Sequence, residues 1–485
     1  MKKNYISRIL LFSLMIIGVA AYYLGIVFDN YIYIMASAYF IFISSIVFCS
    51  INVKRRFLLL IFDGLIFLFL MGRPLIALFT DINYFNRFSE NSIVAAFTSL
   101  DLTLIFLLIG SFVYEKTHTL NCRFSSMSIP FDLKLSKIQV ASLFLLVVTI
   151  VFKFILGAEK MIFMKGRTYM DFYNYFESSL PFFFASISFL FPFALCAYLA
   201  TFPRKHETFC VLVLNVATTL PDLVIGIRNP FVVSVLFSFV YYCLRDFHGS
   251  RYKWIGRIEK LLIVCCFPLA ILGLAAMNYT RDGGPVPTSE ILILFRDFLF
   301  KQGVSFEVLC DSFEVIPSVL EKFKGYTLGG VLDTVLYGGI SQMLFGASAL
   351  PNHNSVIKAL QGHSFADFFS YITWGDYYLA GHGRGSCYIS EIFADFSWGG
   401  IIIINLLLGC LLCFFADSFK GGYLRSFFSL VCIMNLFLLP RGMFSAFWSY
   451  FFNIHVWLVL IAVFVLAWLL PYRLVTNKRR KSIRC

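Results

Sequence analysis

The chain has 485 residues, of which 59% are hydrophobic, 19% aromatic and only 14% charged, whereas soluble proteins carry roughly half apolar residues and about a quarter charged ones. That composition excludes an ordinary soluble domain. The formal net charge of +13, from 40 Lys and Arg against 27 Asp and Glu, is then expected to serve membrane topology and anionic lipid rather than nucleic acid.

Apolar runs of about 20 residues must close their own backbone hydrogen bonds in hydrocarbon, so they are expected to be spanning helices. They lack the alternation of a barrel strand. In chain order they fall near 6–28, 31–51, 57–80, 93–114, 138–157, 179–202, 207–227, 229–244, 260–278, 396–416, 424–440 and 449–470, which predicts an all-α polytopic membrane protein of about 12 transmembrane helices. The first run carries Lys2, Lys3 and Arg8 but is too long for a signal h-region and lacks an A-x-A-like cleavage site, so it is expected to be retained.

Orientation follows from the basic residues. Lys54, Arg55 and Arg56, then Arg204 and Lys205, the 245–260 connection, Lys420 with Arg425, and the tail from Lys478 to Lys481 fall on one side of an alternating 12-helix chain. That side is expected to be the cytoplasm, with both termini inside. The chain divides into helices one to nine (1–279), a large extracytoplasmic loop (280–395), helices ten to twelve (396–472) and a basic tail (473–485).

Nine of the 13 cysteines (Cys49, Cys196, Cys210, Cys243, Cys265, Cys266, Cys410, Cys413 and Cys432) fall in apolar segments, where cysteine packs as a small hydrophobe. The C-x-x-C at Cys410 and Cys413 has no polar surroundings, so packing outweighs metal or redox chemistry. Cys310 and Cys387 are expected to face outward, which leaves a bridge between them open.

The 280–395 stretch is rich in aromatics, including Phe365, Phe368, Phe369, Tyr371, Trp374, Tyr377 and Tyr378, and is expected to fold as an ordered cap rather than stay disordered. Helices are predicted over 289–302, capped by Ser289 and ended by Gly303, and over 304–322. Trp374, Tyr377 and Tyr378 suit either cap packing or stacking on sugar rings.

The residues most capable of chemistry lie between 362 and 395. Gly381 to Ser386 alternates glycine with functional side chains, so its backbone N–H groups and Arg384 suit an anion, although a turn into the next helix fits equally. Glu391 and Asp395 stand one helical turn apart and share a face. Either they complement the helix dipole, or one positions or deprotonates a hydroxyl. Arg228 in I-G-I-R-N-P and Arg441 in L-P-R-G both map to the outer face, against the basic trend; phosphate or pyrophosphate at the bilayer surface competes with headgroup snorkelling as their reason. Arg73, Asp101 and Lys153 are expected to form internal ion pairs.

Three segments carry a family resemblance: K-Q-G-V-S-F-E-V-L (301–309), L-A-G-H-G-R-G-S-C-Y-I-S-E-I-F-A-D-F-S-W-G-G (379–400) and the arginine turn at 226–230. Together they resemble Wzy-type O-antigen polymerases, the membrane enzymes that join lipid-linked oligosaccharide repeat units. Gly385, Ser386, Ile389, Glu391, Asp395, Phe396 and Gly399 match the pattern. Cys387 stands where a second serine is expected, and Ser397 and Trp398 where glycine and an aromatic are commoner.

The resemblance implies a GT-C-like architecture and a glycosyl transfer in which a growing chain leaves its undecaprenyl pyrophosphate for a sugar hydroxyl of an incoming lipid-linked unit. Arg228, Arg384 and Arg441 are the candidates to bind pyrophosphate, with one pyrophosphate expected to engage both Arg228 and Arg441. Gln302, Ser386 and Asp395 are the candidates for the sugar. His363 and Glu391 are the candidate bases; imidazole titrates near neutral pH, and His353 and His382 are weaker options. No H-x-E, D-x-D or clustered acidic motif stands in the outer loops, so transfer without metal or cofactor is expected. Membrane lipid and a chain-length regulator are the expected partners. An O-antigen ligase uses similar chemistry and remains an alternative, as does a flippase or transporter, although the chain shows no internal repeat.

Overall fold

The computed structural model describes residues 2–81, 83–119, 133–167, 171–172, 175–248, 253–281, 291–319 and 324–471. Its regular elements are all helical, with no strand among the described residues. In chain order they include α1 Lys2–Val27, α2 Tyr31–Ile51, α3 Val53–Thr80, α4 Glu90–Thr119, α5 Leu133–Phe163, α6 Phe182–Leu199, α7 Lys205–Ile225, α8 Asn229–Phe247 and α9 Arg257–Arg281. The next segment folds as α10 Ile291–Gln302, α11 Ser305–Val319, α12 Gly329–Tyr337, α13 Gly339–Phe345, α14 Val356–Gln361, α15 Phe365–Trp374 and α16 Asp376–Leu379. The last long helices are α17 Tyr388–Asp417, α18 Tyr423–Leu436 and α19 Ile454–Leu469.

Every one of the twelve apolar segments thus lands on a helix. Among the described residues, nine helices, α1 to α8 and α17, are long and apolar enough to cross a membrane, while α18 and α19 are shorter apolar helices. The chain is a multi-pass membrane protein. Ser289 and the tail 473–485 lie outside the described residues.

Packing gathers the chain into two units that interleave along the sequence. The first comprises Met1–Arg123, Ser289–Asp417 and Asn435–Ser449, and the second Phe124–Thr288, Ser418–Met434 and Tyr450–Cys485. Within the second, Lys160 pairs with Asp222 at 2.6 Å, and Gly157 lets α5 approach Pro221.

Within the first unit, α4 and α17 pack along their lengths, and α2 and α3 lie beside them. Among the described residues of 280–395, α11 packs against these helices. Phe306, Leu309 and Cys310 of α11 are fully buried, Phe306 meets Phe97 of α4 at 5.1 Å between rings, and Ser312 donates to Ser390 of α17 at 2.8 Å. The bridge left open between Cys310 and Cys387 is not made: both are buried free thiols, Cys310 within α11 and Cys387 just ahead of α17.

The tenth apolar segment begins earlier than its hydropathy suggests. Helix α17 starts at Tyr388, so Glu391 and Asp395 lie inside it, and a break at Ser397 (φ 55°, ψ −156°) separates these polar first turns from the apolar remainder. An L-residue in that region costs about 1–3 kcal/mol, and only glycine adopts it freely. Ser397→Gly is therefore expected to stabilise the protein by about 1 kcal/mol, read as a higher thermal unfolding midpoint in detergent; an unchanged or lowered midpoint would contradict the strain.

Candidate active site

All the polar side chains that the sequence places near the start of α17 belong to the first unit, and they form two layers, one sealed and one open. The sealed layer begins at Glu391, which has no exposed surface. Ser386 Oγ donates to its Oε1 at 2.6 Å, and the Phe444 backbone N–H donates to its Oε2 at 2.8 Å. Both oxygens are occupied by protein donors. The carboxylate accordingly fixes the turn from Arg441 to Phe444 and is closed to a substrate hydroxyl.

Asp395, one turn further along, is used in the same way. Its Oδ1 accepts from the N–H groups of Gly325 and Tyr326 at 3.0 and 3.1 Å, and its Oδ2 from the N–H and hydroxyl of Thr327, both at 2.7 Å. It clasps the turn ahead of α12, which Gly325 enters at φ 75°. The shared face expected for the two acids therefore serves two structural turns rather than one sugar.

The glycine-rich loop is held, not loose. Gly381 and Gly385 adopt φ of 97° and 84°, Asn354 donates to the carbonyls of Tyr378 and His382 at 2.8 and 2.9 Å, and Arg384 N–H donates to Ser370 Oγ at 2.9 Å. The Arg384 guanidinium pairs with Asp311 of α11 and lies near the rings of Phe369 and Trp374. Burial pushes the Asp311 carboxyl above its ordinary range, against the opposing pull of Arg384. Arg384 is thus committed to tying this loop to α11.

Arg441 ends a short 3-10 turn, Leu439–Arg441, and its Nη1 donates to Gln302 Oε1 at 3.0 Å while its guanidinium lies 5.2 Å from the centre of the Phe69 ring. Phe69 belongs to a π turn, Phe67–Met71, inside α3; such widened turns recur at functional sites. The next residue after Gln302 must be glycine: a Cβ on Gly303 would come within 2.3 Å of the Cβ of Arg73. Arg73 in turn pairs with Glu307 at 2.6 Å and lies 4.3 Å from the Phe300 ring centre. One corner, Gln302 and Gly303, therefore brings Arg441 and Arg73 to the same end of α3.

The open layer lies on and between α12, α14, α15 and α16. His363 sits between α14 and α15 with its ring 19% exposed and Nδ1 2.8 Å from Asp333 Oδ1. Trp374 and Tyr377 meet edge to face at 5.1 Å and stay well exposed, whereas Tyr378 is buried and donates to Asp367 at 3.0 Å. His382 stacks on Tyr377 at 3.9 Å, and His353 is exposed.

Arg228 lies in the second unit, as the residue preceding α8. Of the expected internal ion pairs, Arg73 makes one; Asp101 instead accepts from Ser37 Oγ at 3.0 Å, and the pair on α5 uses Lys160 rather than Lys153. Sequence reasoning missed Asp333, Asp311, Asp367 and the pairing of Gln302 with Arg441. Asp333 had one usable signal, being the only charge in the otherwise apolar or neutral stretch Gly329–Tyr337. Among the described residues, no three His, Cys, Asp or Glu side chains cluster in a way that could hold a metal ion.

A family model described as O-antigen polysaccharide polymerase Wzy matches residues 5–471 of the chain. No curated protein and no solved structure matches it.

The sealed geometry of Glu391 separates structural from chemical roles. Glu391→Gln keeps an oxygen for Phe444 N–H and lets the amide donate to Ser386, so it is expected to retain at least about a third of the activity. Glu391→Ala leaves both donors without a partner at about 1–3 kcal/mol each, and is expected to lose stability and nearly all activity. If Glu391→Gln accumulated normally yet were as inactive as Glu391→Ala, Glu391 would be the base after all.

Proposed function

The chain belongs to the O-antigen polysaccharide polymerase Wzy family, and on that premise we propose that it moves a growing glycan from polyprenyl pyrophosphate to a sugar hydroxyl of an incoming lipid-linked repeat unit. Both substrates are lipid-anchored, so the reaction belongs at a membrane surface. The excess of Lys and Arg on the opposite connections favours the outer face of the cytoplasmic membrane, with 280–395 outside and the termini inside.

The observation that carries this reading is the Arg441 turn. Its backbone is held by a buried carboxylate, and its guanidinium is aimed by Gln302 and the Phe69 ring. In the transfer, the acceptor oxygen forms a bond to the donor's anomeric carbon while the bond from that carbon to the pyrophosphate oxygen breaks, and the electron pair leaves with pyrophosphate. Developing negative charge there is stabilised by a pre-aimed guanidinium, whose planar fork suits two phosphate oxygens at once. The proton released by the acceptor hydroxyl passes to His363, the candidate base that is not sealed. Trp374 and Tyr377 offer faces for the sugar rings.

Gln302 and Ser386 enter this scheme as neighbours of the charge rather than as proven sugar contacts: one aims Arg441, and the other supports Glu391. Neither the ligase nor the flippase alternative is favoured by the family match.

The test uses a strain deleted for the gene and complemented with variants, reading surface glycan length. The wild-type chain is expected to restore long glycan, Arg441→Ala to leave a single repeat unit at normal protein level, and Arg441→Lys to recover part of the length. Gln302→Ala is expected to lower extension about tenfold, the worth of one hydrogen bond to a charged group. Normal glycan length in Arg441→Ala would remove that residue from the leaving-group site.

A further inference from the structure

We infer that Asp333 is a positioning residue that holds His363 in one tautomer and one orientation, with Nε2 presented to the acceptor hydroxyl, and that α12 sets this group in register with the Arg441 turn. The inference rests on the reading of His363 as the base.

One carboxylate grips His363 twice. The His363 backbone N–H donates to Asp333 at 3.0 Å to Oδ1 and 3.3 Å to Oδ2, while ring Nδ1 lies 2.8 Å from Oδ1. The backbone contact determines where the residue sits, and the ring contact determines how the imidazole turns. An ionised carboxylate only accepts, so Nδ1 must carry a proton; in the neutral ring the lone pair then resides on Nε2. No hydrogen bond to Nε2 is present among the described residues, and the ring is partly open to its surroundings.

The helix that bears Asp333 is anchored at its start to both sides of the proposed reaction. Gly329 lies so close to His363 that a Cβ would come within 2.1 Å of the His363 carbonyl oxygen. Gly330 N–H donates to Ser445 Oγ at 3.1 Å, and Ser445 directly follows Phe444, whose N–H is held by Glu391. At a rise of about 1.5 Å per residue, Asp333 stands only about 4.5 Å along the helix axis from Gly330. A single helical turn therefore connects the residue that orients the base with the segment that carries the leaving-group arginine. A latch that served folding alone would be complete with the backbone contact; the ring contact adds control of the proton.

The test compares His363→Ala, Asp333→Asn and Asp333→Glu in the purified full chain, using a lipid-linked repeat unit as substrate. Asp333→Asn offers Nδ1 both an acceptor and a donor, so it no longer enforces one tautomer, and it removes the charge that steadies the imidazolium; its kcat is expected to fall about 100-fold, within the range of proton-transfer contributions, with KM changed less than about threefold and the unfolding midpoint maintained. In parallel, ¹⁵N NMR of histidine-labelled protein, with the His363 signal assigned by its loss in His363→Ala, should show Nδ1–H in the wild type and lose that preference in Asp333→Asn. If Asp333→Asn does not accumulate, Asp333→Glu, which keeps the charge but displaces it by one methylene, is expected to show the same fall in kcat with KM preserved. Wild-type kcat and tautomer in Asp333→Asn, or a loss confined to stability in either variant, would overturn the inference. Activity in His363→Ala would instead overturn the reading of His363 as the base.

Discussion

The first unit depends on one close approach between helices. A Cβ on Gly110 of α4 would fall 2.0 Å from the Leu406 carbonyl oxygen, and one on Gly409 of α17 would fall 2.2 Å from that of Leu107. Each glycine lets the partner backbone in. Ser111 then donates to the Gly409 carbonyl at 3.0 Å, and Asn405 donates to Thr103 at 3.3 Å. Lipid tails are as apolar as leucine, so helices in a bilayer gain little by hiding apolar surface from each other; small residues and interhelical hydrogen bonds supply the attraction instead. A larger side chain at either glycine would push α17 away and carry its first turn, and with it Glu391, out of reach of Phe444.

From that crossing the polar end of the unit is built by satisfying charges. Glu391 and Asp395 give every carboxylate oxygen to a protein donor, Arg384 is bound to Asp311, and Arg73 is bound to Glu307. A buried charge without a partner is expensive, whereas a charge with its partners in place locks the turns that supply them. These four residues are thus the frame. On the proposed reading, Arg441 with Gln302, and His363 with Asp333, are the groups that the frame aims.

Much of the fold was legible because hydrocarbon leaves the backbone so few choices: all twelve apolar segments became helices, and among the described residues nine of them are long and apolar enough to span. The chemistry around 379–400 was also visible as a cluster. Its roles were not. Glu391 looked like a candidate base because it is a carboxylate beside a polar loop, and nothing local reveals that Phe444, 53 residues later, closes over it. Asp333 and His363 are 30 residues apart, too far for any spacing rule. The break at Ser397 disguised the true start of α17, since the apolar run begins only after it.

The most direct measurement is extension of a defined, radiolabelled lipid-linked repeat unit by the purified protein in liposomes, with chelator present and products resolved by size. The account expects a ladder rising by one repeat unit at a time, with the newest unit always next to the lipid, because the growing chain is the donor. Products that never exceed one unit, or newest units found at the end distant from the lipid, would contradict it.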